Sequence, residues 1–354
     1  MKQLHVLIMA GGRGTRFWPR SRRSEPKQCV AVSGPRSMLR QTVDRLLPLI
    51  PAERILVVTG TEMEMAVRRE LTDLPPSSVL VEPRGRNTAP CIGWGAVEIG
   101  NRAGGDAVMA VVPADHDVQH PERLREVLLA AAEAAATTNA LITLGVTPTR
   151  AETGFGYLEI GAVSGVWQNH SFHTVERFTE KPDAETAARY ATSGRHLWNA
   201  GMFVFTVDSI RDAFRRHLPR SAEALAELQR EPNRLPELWG QLDATSIDYG
   251  IMERSRHILT APTDIGWSDV GSWDAAAELM PIIEGGRGLC RASVSIDAQN
   301  NVVHAPDKLV ALLGVEDLAV IDTPDVLMVM TRSRAQEVKL LLDRIEGRGL
   351  VAYT

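Results

Sequence analysis

The sequence predicts an α/β protein, with a mostly parallel sheet that has helices on both faces and a small all-β module after it. Three observations predict this. Short apolar runs alternate with helical stretches through the first half of the chain, as in sheets whose parallel strands are joined by helices. The stretch 154–205 is rich in strand-forming residues. After residue 285, short strand patterns follow at close spacing. We therefore predict a domain over 1–284 and a second over 285–354.

The first 146 residues contain the predicted parallel strands. Ligands of open α/β sheets bind beyond the carboxyl ends of the strands, so segments that directly follow strands should share one rim. These segments are 11–16, 82–90 and 113–117. The predicted strands are 4–10, 54–59, 78–81, 107–112 and 140–146, and the predicted helices are 37–47, 62–71, 89–102 and 122–136.

Later segments add a second pocket and the small module. Strands predicted at 156–161, 174–178 and 202–207 should wall a pocket beside the rim, and helices are predicted at 208–217, 221–229 and 246–253. The module resembles a short β-helix closed by a helix over 333–345. Exposed edges of short strands often pair with a second copy, so we expect a homodimer. Its predicted strands are 293–296, 301–304, 308–314, 318–322 and 326–330.

Composition excludes several classes of protein. Of the 354 residues, 44% are apolar and 23% are charged, which is ordinary for a globular chain. The formal net charge of −5 argues against nucleic acid or an anionic membrane as partner. Three cysteines without CxxC spacing argue against disulfides and zinc. The short apolar N-terminus does not match a signal peptide, and no apolar run has the length of a membrane span, so we expect a cytoplasmic protein.

A glycine-rich turn, Gly11–Arg16, follows the first strand. Three glycines in four positions let backbone N–H groups approach an anion closely. The turn lacks the spacing of a dinucleotide-binding loop and the Gly-Lys-Ser/Thr of a P-loop. Arg13, Arg16 and Lys27 supply positive charge that the chain as a whole lacks. These features favour phosphate binding over a purely structural strand-to-helix turn.

The motif GGRGTRFWPRSRRSEPKQ, residues 11–28, resembles the signature of the sugar-nucleotide pyrophosphorylases, in the mannose-1-phosphate guanylyltransferase branch. The resemblance covers almost the whole chain. Phe17, Cys29 and Gly250 depart from the usual residues, but none of them is charged or a ligand. Seven further motifs in the family's order carry it: EP…RNTAP (82–90), PADH (113–116), GFGY (154–157), FTEKPD (178–183), WNAGMF (198–203), SIDY (246–249) and GWSDVGSW (266–273).

The resemblance implies a Rossmann-like nucleotidyltransferase fold and the reaction of mannose 1-phosphate with GTP to give GDP-mannose and pyrophosphate. It also implies Mg²⁺ held by Asp115 and Asp269, an ion that prefers one or two carboxylates plus phosphate oxygens and water. Asp117 and Asp264 are alternative ligands, and the alternative role for Asp115 and Asp269 is to cap a turn or a helix.

By the same resemblance, four residues are catalytic and others bind the substrates. Arg13 would hold the leaving phosphates and Lys27 the α-phosphate or the incoming phosphate. Asn87 or Thr88 has the alternative role of capping the following helix. The expected catalytic residues are Arg13, Lys27, Asp115 and Asp269; the nucleotide-binding residues are Ala10, Gly11, Gly12, Gly14, Thr15, Arg16, Glu82, Asn87 and Thr88; and the sugar-phosphate-binding residues are Gly156, Glu180, Lys181 and Asn199.

The expected mechanism is direct in-line attack on the α-phosphorus of GTP. The attacking phosphate is already largely ionised near neutral pH, since a phosphate monoester has a second pKa of about 6. No general base is therefore required. Two alternatives stay open: the same chemistry on another pair, such as a heptose 1-phosphate or another nucleotide, and a nucleotide-sugar-binding regulatory subunit without catalysis.

Overall fold

In the computed structural model, which describes residues 3–32 and 34–354, the first 270 residues contain eleven strands. They are β1 (Leu4–Ala10), β2 (Ile55–Gly60), β3 (Val79–Glu82), β4 (Val108–Pro113), β5 (Asp117–Val118), β6 (Leu141–Val146), β7 (Gly156–Trp167), β8 (His170–Glu180), β9 (His196–Thr206), β10 (Ile258–Thr263) and β11 (Trp267–Ser268).

Nine of these strands form one sheet in the order β3-β2-β1-β4-β9-β6-β10-β8-β7. The pairing directions make β8 and β9 run opposite to the other seven strands, which confirms the mostly parallel sheet. The sequence analysis missed β10, because Pro262 near its end is an unfavourable strand residue. The strands β7 and β8 are also longer than predicted.

Helices cover both faces of the sheet. Successive side chains of β1 point to opposite faces, so Val6 and Ile8 join one core and Leu7 joins the other. The predicted 246–253 helix is shorter than expected, ending at Gly250 before a 3₁₀ turn. The helices are α1 (Met38–Leu46), α2 (Glu64–Glu70), α3 (Thr88–Ala103), α4 (Pro121–Thr138), α5 (Ala184–Thr192), α6 (Val207–His217), α7 (Pro219–Arg230), α8 (Leu235–Leu238), α9 (Ile247–Gly250), α10 (Trp273–Ala277) and α11 (Val338–Gly347).

The C-terminal module is a five-stranded sheet followed by α11. The predicted strands 301–304 and 308–314 are one long strand, and the predicted final helix begins as a 3₁₀ segment, Arg332–Glu337. The strands are β12 (Ile282–Ile283), β13 (Gly286–Ile296), β14 (Asn301–Leu313), β15 (Leu318–Asp322) and β16 (Leu327–Thr331).

The pairing of β13 with β14 shows that this module winds as a short β-helix. The two strands are parallel, with Gly286 opposite Asn301 and Ile296 opposite Leu313, although only residues 297–300 connect them. Two straight parallel strands need a much longer connection. Each strand must therefore bend, and the register shifts between Cys290 and Ala292 at that corner. The result is a coil with two rungs, which confirms the β-helix-like character.

The C-terminal module packs against the glycine-rich segment at the other end of the chain. Phe17 and Trp18 share a buried cluster with Trp273 and with apolar side chains of β15 and α11. The Trp18 Nε1–H donates to the Tyr353 carbonyl at 2.6 Å, and the Trp273 Nε1–H donates to the Trp18 carbonyl at 3.1 Å. The segment that follows the glycine-rich turn is therefore fixed by residues from the end of the chain.

No helix in the part of the chain that the structure describes is both long and apolar enough to cross a bilayer.

Candidate active site

The glycine-rich turn lies at the carboxyl end of β1 and has two glycines in the left-handed region. Gly12 has φ +90° and faces open space, where a ligand can approach the backbone. Gly14 has φ +62°, and a Cβ there would lie 2.2 Å from the Cβ of Lys27. Only glycine therefore allows the turn and the Lys27 segment to come this close.

The Lys27 side chain connects the two acidic residues that were predicted to hold a metal. It is only 6% exposed. Its ammonium donates to the Asp115 carboxylate at 2.9 Å, the Asp115 carbonyl at 3.1 Å and the Asp269 carbonyl at 3.0 Å. The short strands β5 and β11 pair beside it, with Ser268 opposite Asp117. The fold thus brings Asp115 and Asp269 together although they are far apart in the sequence.

These groups line a groove of about 280 Å³, called here the phosphate groove after the ligand that the sequence analysis predicts there. Burial by itself would raise the pKa of Asp115, but the charges of Lys27 and His116 hold that pKa below its ordinary value. The carboxylate is therefore ionised at neutral pH. Arg16 donates to the Gly271 carbonyl at 3.2 Å. The groove is lined by Gly14, Thr15, Arg16, Phe17, Lys27, Asp115, His116, Asp269 and Gly271.

The two carboxylates of the phosphate groove fit an Mg²⁺ ion whose remaining ligands are nucleotide phosphate oxygens and water. Within residues 3–32 and 34–354, no group of three or more His, Cys, Asp and Glu side chains could hold a metal alone. Mg²⁺ usually takes one or two carboxylates and completes its shell with phosphate oxygens and water, as Asp115 and Asp269 would allow. Asp264 instead pairs with Arg123 at 3.0 Å and is 86% exposed. Asp117 lies in β5.

A second cavity of about 500 Å³ adjoins the phosphate groove, because Asp115 and His116 line both. We call it the nucleoside cavity after the ligand that the sequence analysis predicts there. Its wall contains five of the residues that the sequence analysis predicts to bind the nucleotide: Gly11, Gly12, Glu82, Asn87 and Thr88. Glu82 is only 8% exposed. Burial raises the pKa of Glu82 to about 7, despite a hydrogen bond with the Cys91 thiol.

Among the predicted nucleotide-binding residues, Ala10, Asn87 and Thr88 also have structural partners. The Asn87 side chain caps α3 by accepting from the Thr88 N–H at 2.9 Å, as the alternative interpretation held. The Thr88 hydroxyl accepts from the Ile247 N–H at 2.9 Å. The Ala10 carbonyl accepts from Gln28 and from Thr59, both at 3.0 Å, so this carbonyl is occupied within the protein.

The predicted sugar-binding residues form a connected cluster with one further residue, Asp248. A Cβ at Gly156 would lie 2.5 Å from a carboxylate oxygen of Glu180, so the Glu180 side chain lies directly against the Gly156 backbone. The Lys181 ammonium is 3.2 Å from the Glu180 carboxylate. The Asn199 amide donates to Asp248 at 2.9 Å. Burial and the nearby Asp248 carboxylate raise the pKa of Glu180 to about 7. We call these five residues the sugar cluster.

The sequence analysis quoted Asp248 within its SIDY motif but gave it no role. The structure places this side chain both in the wall of the nucleoside cavity and against Asn199. Asp248 thus connects the nucleoside cavity to the sugar cluster. The sequence signal that could have pointed to a role for Asp248 is its charge, since the other residues of this short helical turn are uncharged.

Arg13 is the predicted residue that the structure keeps apart from the others. Its guanidinium pairs with the Glu62 carboxylate at 3.0 Å, and the two side chains are 47% and 65% exposed. Arg13 is absent from the walls of the phosphate groove and the nucleoside cavity. To contact a nucleotide, its side chain has to leave Glu62.

Comparisons with known proteins agree with this architecture. Residues 5–286 match the nucleotidyl transferase family, and residues 291–345 match the mannose-phosphate isomerase/GMP-like β-helix domain. A xanthan biosynthesis protein, XanB, from Xanthomonas campestris pv. campestris (strain B100) is 35% identical over 99% of this chain and 74% of its own length. A mannose-1-phosphate guanylyltransferase from Escherichia coli is 36% identical over 98% of this chain and 75% of its own length.

A solved structure is similar over almost all of both chains. The crystal structure of a protein from Thermus thermophilus, described as mannose-1-phosphate geranyltransferase, matches with a TM-score of 0.88 and 34% identity. The match covers 98% of this chain and 100% of that one.

Proposed function

This chain belongs to the nucleotidyl transferase family and is a nucleotidyltransferase, and from that premise we propose that it joins mannose 1-phosphate to GTP, giving GDP-mannose and pyrophosphate. The observation that carries the proposal is the position of Lys27. Its buried ammonium bonds to Asp115 and Asp269 in a groove that adjoins a nucleoside-sized cavity. The names of the E. coli and T. thermophilus relatives support mannose 1-phosphate as the sugar.

The residues of the groove favour a reaction without a covalent intermediate. The attacking phosphate is largely ionised at neutral pH, because the second pKa of a phosphate monoester is about 6. The barrier then comes from bringing two polyanions together and from charge that develops on the leaving pyrophosphate. Positioned cations and N–H groups lower such a barrier. Lys27 would contact the α-phosphate or the incoming phosphate, Arg13 the leaving phosphates, and Gly11, Gly12, Gly14, Thr15 and Arg16 the phosphate chain.

Mg²⁺ is the proposed cofactor, with Asp115 and Asp269 as its protein ligands. When bound there, the ion would offset the negative charge of the phosphates and help to orient them. Lys27 holds Asp115 in its ionised form, which is the form that binds a cation. The main-chain contact of Lys27 with Asp269 keeps the second carboxylate at the same groove.

The two ends of the site supply specificity in this proposal. Glu82, with Asn87 and Thr88, faces the nucleoside cavity and would accept hydrogen bonds from the N1–H and N2–H of guanine. Glu180 would accept a sugar hydroxyl, Lys181 would contact the sugar phosphate, and Asn199 and the Gly156 backbone would hold other hydroxyls.

A substrate panel tests the proposal. Pyrophosphate release is measured for the purified protein with ATP, GTP, CTP and UTP, each with mannose, glucose and heptose 1-phosphates. We expect release with GTP and mannose 1-phosphate to exceed every other pair by at least about tenfold in kcat/KM, which is about 1.4 kcal/mol. If a different pair gave the highest kcat/KM, the proposed reaction would stand, but its nucleotide or sugar phosphate would be that of the other pair. Binding of GDP-mannose without pyrophosphate release from any pair would favour the regulatory subunit.

We also propose a catalytic domain over 1–284 and a separate β module over 285–354, and a homodimer. The strands β13 to β16 pair with one another and with the short strand β12 (Ile282–Ile283), and none of them pairs with the nine-stranded sheet, which supports a division close to residue 285.

A further inference from the structure

His116 lies where the two cavities of the site meet, and the sequence analysis gave it no role beyond its place in the PADH motif. It belongs to the segment between β4 and β5, directly after Asp115. Its side chain lines both the phosphate groove and the nucleoside cavity, a position that it shares only with Asp115 in the part of the chain that the structure describes. A residue at this junction can contact a ligand that occupies both cavities.

The orientation of the His116 ring is fixed by several contacts. The Trp267 Nε1–H donates to the His116 Nδ1 at 3.0 Å, with the two rings nearly perpendicular. The pairing of β5 with β11, in which Trp267 lies opposite Val118, brings the two side chains together. Trp267 packs in turn against Phe155, edge to face, with 5.2 Å between the ring centroids. The His116 carbonyl accepts from the Arg45 guanidinium at 3.1 Å, so the main chain is held as well.

The contact with Trp267 decides where the proton of the imidazole lies. An indole N–H can only donate, so Nδ1 must be the accepting, unprotonated nitrogen, and the proton of the neutral ring lies on Nε2. Burial lowers the pKa of His116, which agrees with a ring that is neutral near pH 7 and charged only at lower pH. Within residues 3–32 and 34–354, the Nε2–H has no hydrogen-bond partner.

This arrangement excludes two common roles of a histidine in an active site. A general base needs a free lone pair, and so does a metal ligand. The Nδ1 lone pair of His116 is taken by Trp267, and Nε2 carries the proton instead of a lone pair. The ring can therefore only donate a hydrogen bond, from Nε2–H, to an acceptor in the two cavities.

The α-phosphate is the acceptor that fits this position. In a nucleoside triphosphate it joins the nucleoside to the remaining phosphates. A nucleotide that fills the nucleoside cavity and extends into the phosphate groove must pass the residues that line both, Asp115 and His116. The ionised Asp115 carboxylate cannot donate, so only His116 of these two side chains offers the phosphate a hydrogen bond.

We propose that His116 is a catalytic residue whose Nε2–H donates to a non-bridging oxygen of the α-phosphate, and that Trp267 is the positioning residue that sets its tautomer. As the sugar-phosphate oxygen bonds to the α-phosphorus and the bond to the leaving pyrophosphate oxygen breaks, this donor stabilises charge on the α-phosphate. Its proton stays on His116 throughout. The inference rests on the proposed function for the reaction, but it holds for any nucleotide and sugar, because every nucleoside triphosphate has an α-phosphate.

The first test requires no turnover. In the ¹⁵N-labelled full chain, the ring signals of His116 are those missing from the His116→Gln spectrum. We expect an unprotonated Nδ1 and a protonated Nε2 in the free protein. The Nε2 signal should shift when guanosine monophosphate binds with Mg²⁺, because the α-phosphate is the one phosphate of this ligand. It should return to its free position when excess guanosine has displaced the monophosphate, a displacement that the ³¹P signal reports.

The second test compares two substitutions that differ in the donor. His116→Asn keeps an oxygen that can accept from Trp267 but has no N–H near the Nε2 position, and it should lower kcat about 100-fold or more. His116→Gln can place an amide N–H near that position, and its kcat should stay within about tenfold of the wild type. His120→Asn is the control, because His120 is an exposed residue four positions later. It should keep kcat within about twofold of the wild type.

Trp267→Phe tests the positioning role. The substitution keeps an aromatic ring beside Phe155 and removes the N–H that fixes Nδ1. The His116 signals should then show a proton shared between Nδ1 and Nε2, and kcat should fall about three- to tenfold with little change in KM. A purely structural role would lower the stability of the protein to urea without changing the tautomer, and an unchanged tautomer would therefore reject the role of Trp267.

Three results would overturn the inference for His116. The first is a free protein with a proton on Nδ1, or an Nε2 signal that responds to guanosine as it does to the monophosphate. The second is a kcat for His116→Asn within about tenfold of the wild type. The third is an equal loss in His116→Asn and His116→Gln, which would mean that the shape of the ring matters rather than its donor.

These outcomes are separate from those of the proposed function. If the substrate panel favours another pair, the same variants are measured with that pair and with the monophosphate of its nucleoside. If the wild type releases no pyrophosphate from any pair, the proposed function fails, and the spectra alone decide whether His116 contacts the α-phosphate.

Discussion

The phosphate groove and the sugar cluster lie at the same rim of one sheet, yet their acidic residues have opposite properties. Asp115 contacts the buried Lys27 ammonium, and its pKa is below the ordinary value. Glu180 is similarly enclosed, but burial and the neighbouring Asp248 raise its pKa to about 7. The buried Lys27 ammonium therefore accounts for the difference between Asp115, which is ionised at neutral pH, and Glu180, which titrates near neutral pH. The first kind suits a cation-binding role, and the second suits a hydrogen bond to a neutral sugar.

The largest effect should come from the second carboxylate of the phosphate groove. We expect Asp269→Ala to lower kcat by two to three orders of magnitude, about 3–4 kcal/mol, as for other groups that stabilise developing charge. Arg13→Ala should lower kcat by a similar factor. Steady-state pyrophosphate release provides the measurement, with circular dichroism to verify the fold.

The matched control is Asp264→Ala, which removes an exposed aspartate five positions earlier that pairs with Arg123. Its kcat should stay within about twofold of wild type, in line with the small value of exposed ion pairs. If Asp269→Ala kept more than about a tenth of the wild-type kcat, a loss below about 1.4 kcal/mol, Asp269 would have no catalytic role.

The next effect should separate the structural from the catalytic role of Lys27. Lys27→Met leaves a carboxylate and two carbonyl oxygens without their donor, which should cost about 1–3 kcal/mol of unfolding free energy. Adding Asp115→Asn should recover part of that stability, because the unpaired charge is gone, but should not restore turnover. Urea denaturation and pyrophosphate release measure the two quantities. A double variant that regained activity with stability would show that Lys27 acts only as a structural residue and that the Asp115 carboxylate is not required for turnover.

A smaller effect should appear in the pH dependence of the sugar cluster. The pKa of Glu180 is raised to about 7, so its carboxyl group is neutral below that pH and becomes a charged group that only accepts hydrogen bonds as the pH rises through it. We expect KM for mannose 1-phosphate to fall up to about tenfold from pH 6 to pH 8, or about 1.4 kcal/mol.

Glu180→Gln should remove this dependence while leaving the titration of the substrate phosphate in place. Glu185→Gln is the control, because Glu185 is an exposed residue of α5. An unchanged pH profile in Glu180→Gln would mean that another group titrates.

The smallest effect concerns the Arg13–Glu62 pair. Both side chains are largely exposed, and such pairs contribute about 0.2–1 kcal/mol. Glu62→Gln should therefore free the Arg13 side chain with little loss of stability and lower KM for GTP by no more than about threefold. The change should vanish at high salt, where exposed charges are screened. A change of more than about tenfold would mean that Glu62 itself contacts the nucleotide or its ion.

The sequence alone determined the sheet, the rim and the identity of most polar groups around it. Gly11, Glu82 and Pro113 each follow or end a buried strand, and parallel strands place their carboxyl ends at one edge, so a local pattern was sufficient. The resemblance supplied the expected roles. The strand β10 was missed because Pro262 made its pattern weak, although tertiary pairing with β6 overrides that weakness.

Only the tertiary structure decided which of those groups meet. Asp115 and Asp269 come together because β5 pairs with β11 and because Lys27 reaches both, contacts between segments that no local spacing encodes. The same holds for the contact of Asp248 with Asn199. Long-range contacts depend on how distant segments pack, and a local pattern of hydrophobicity contains no information about the partner. The chain's pattern therefore specifies the elements, and their packing specifies the chemistry between them.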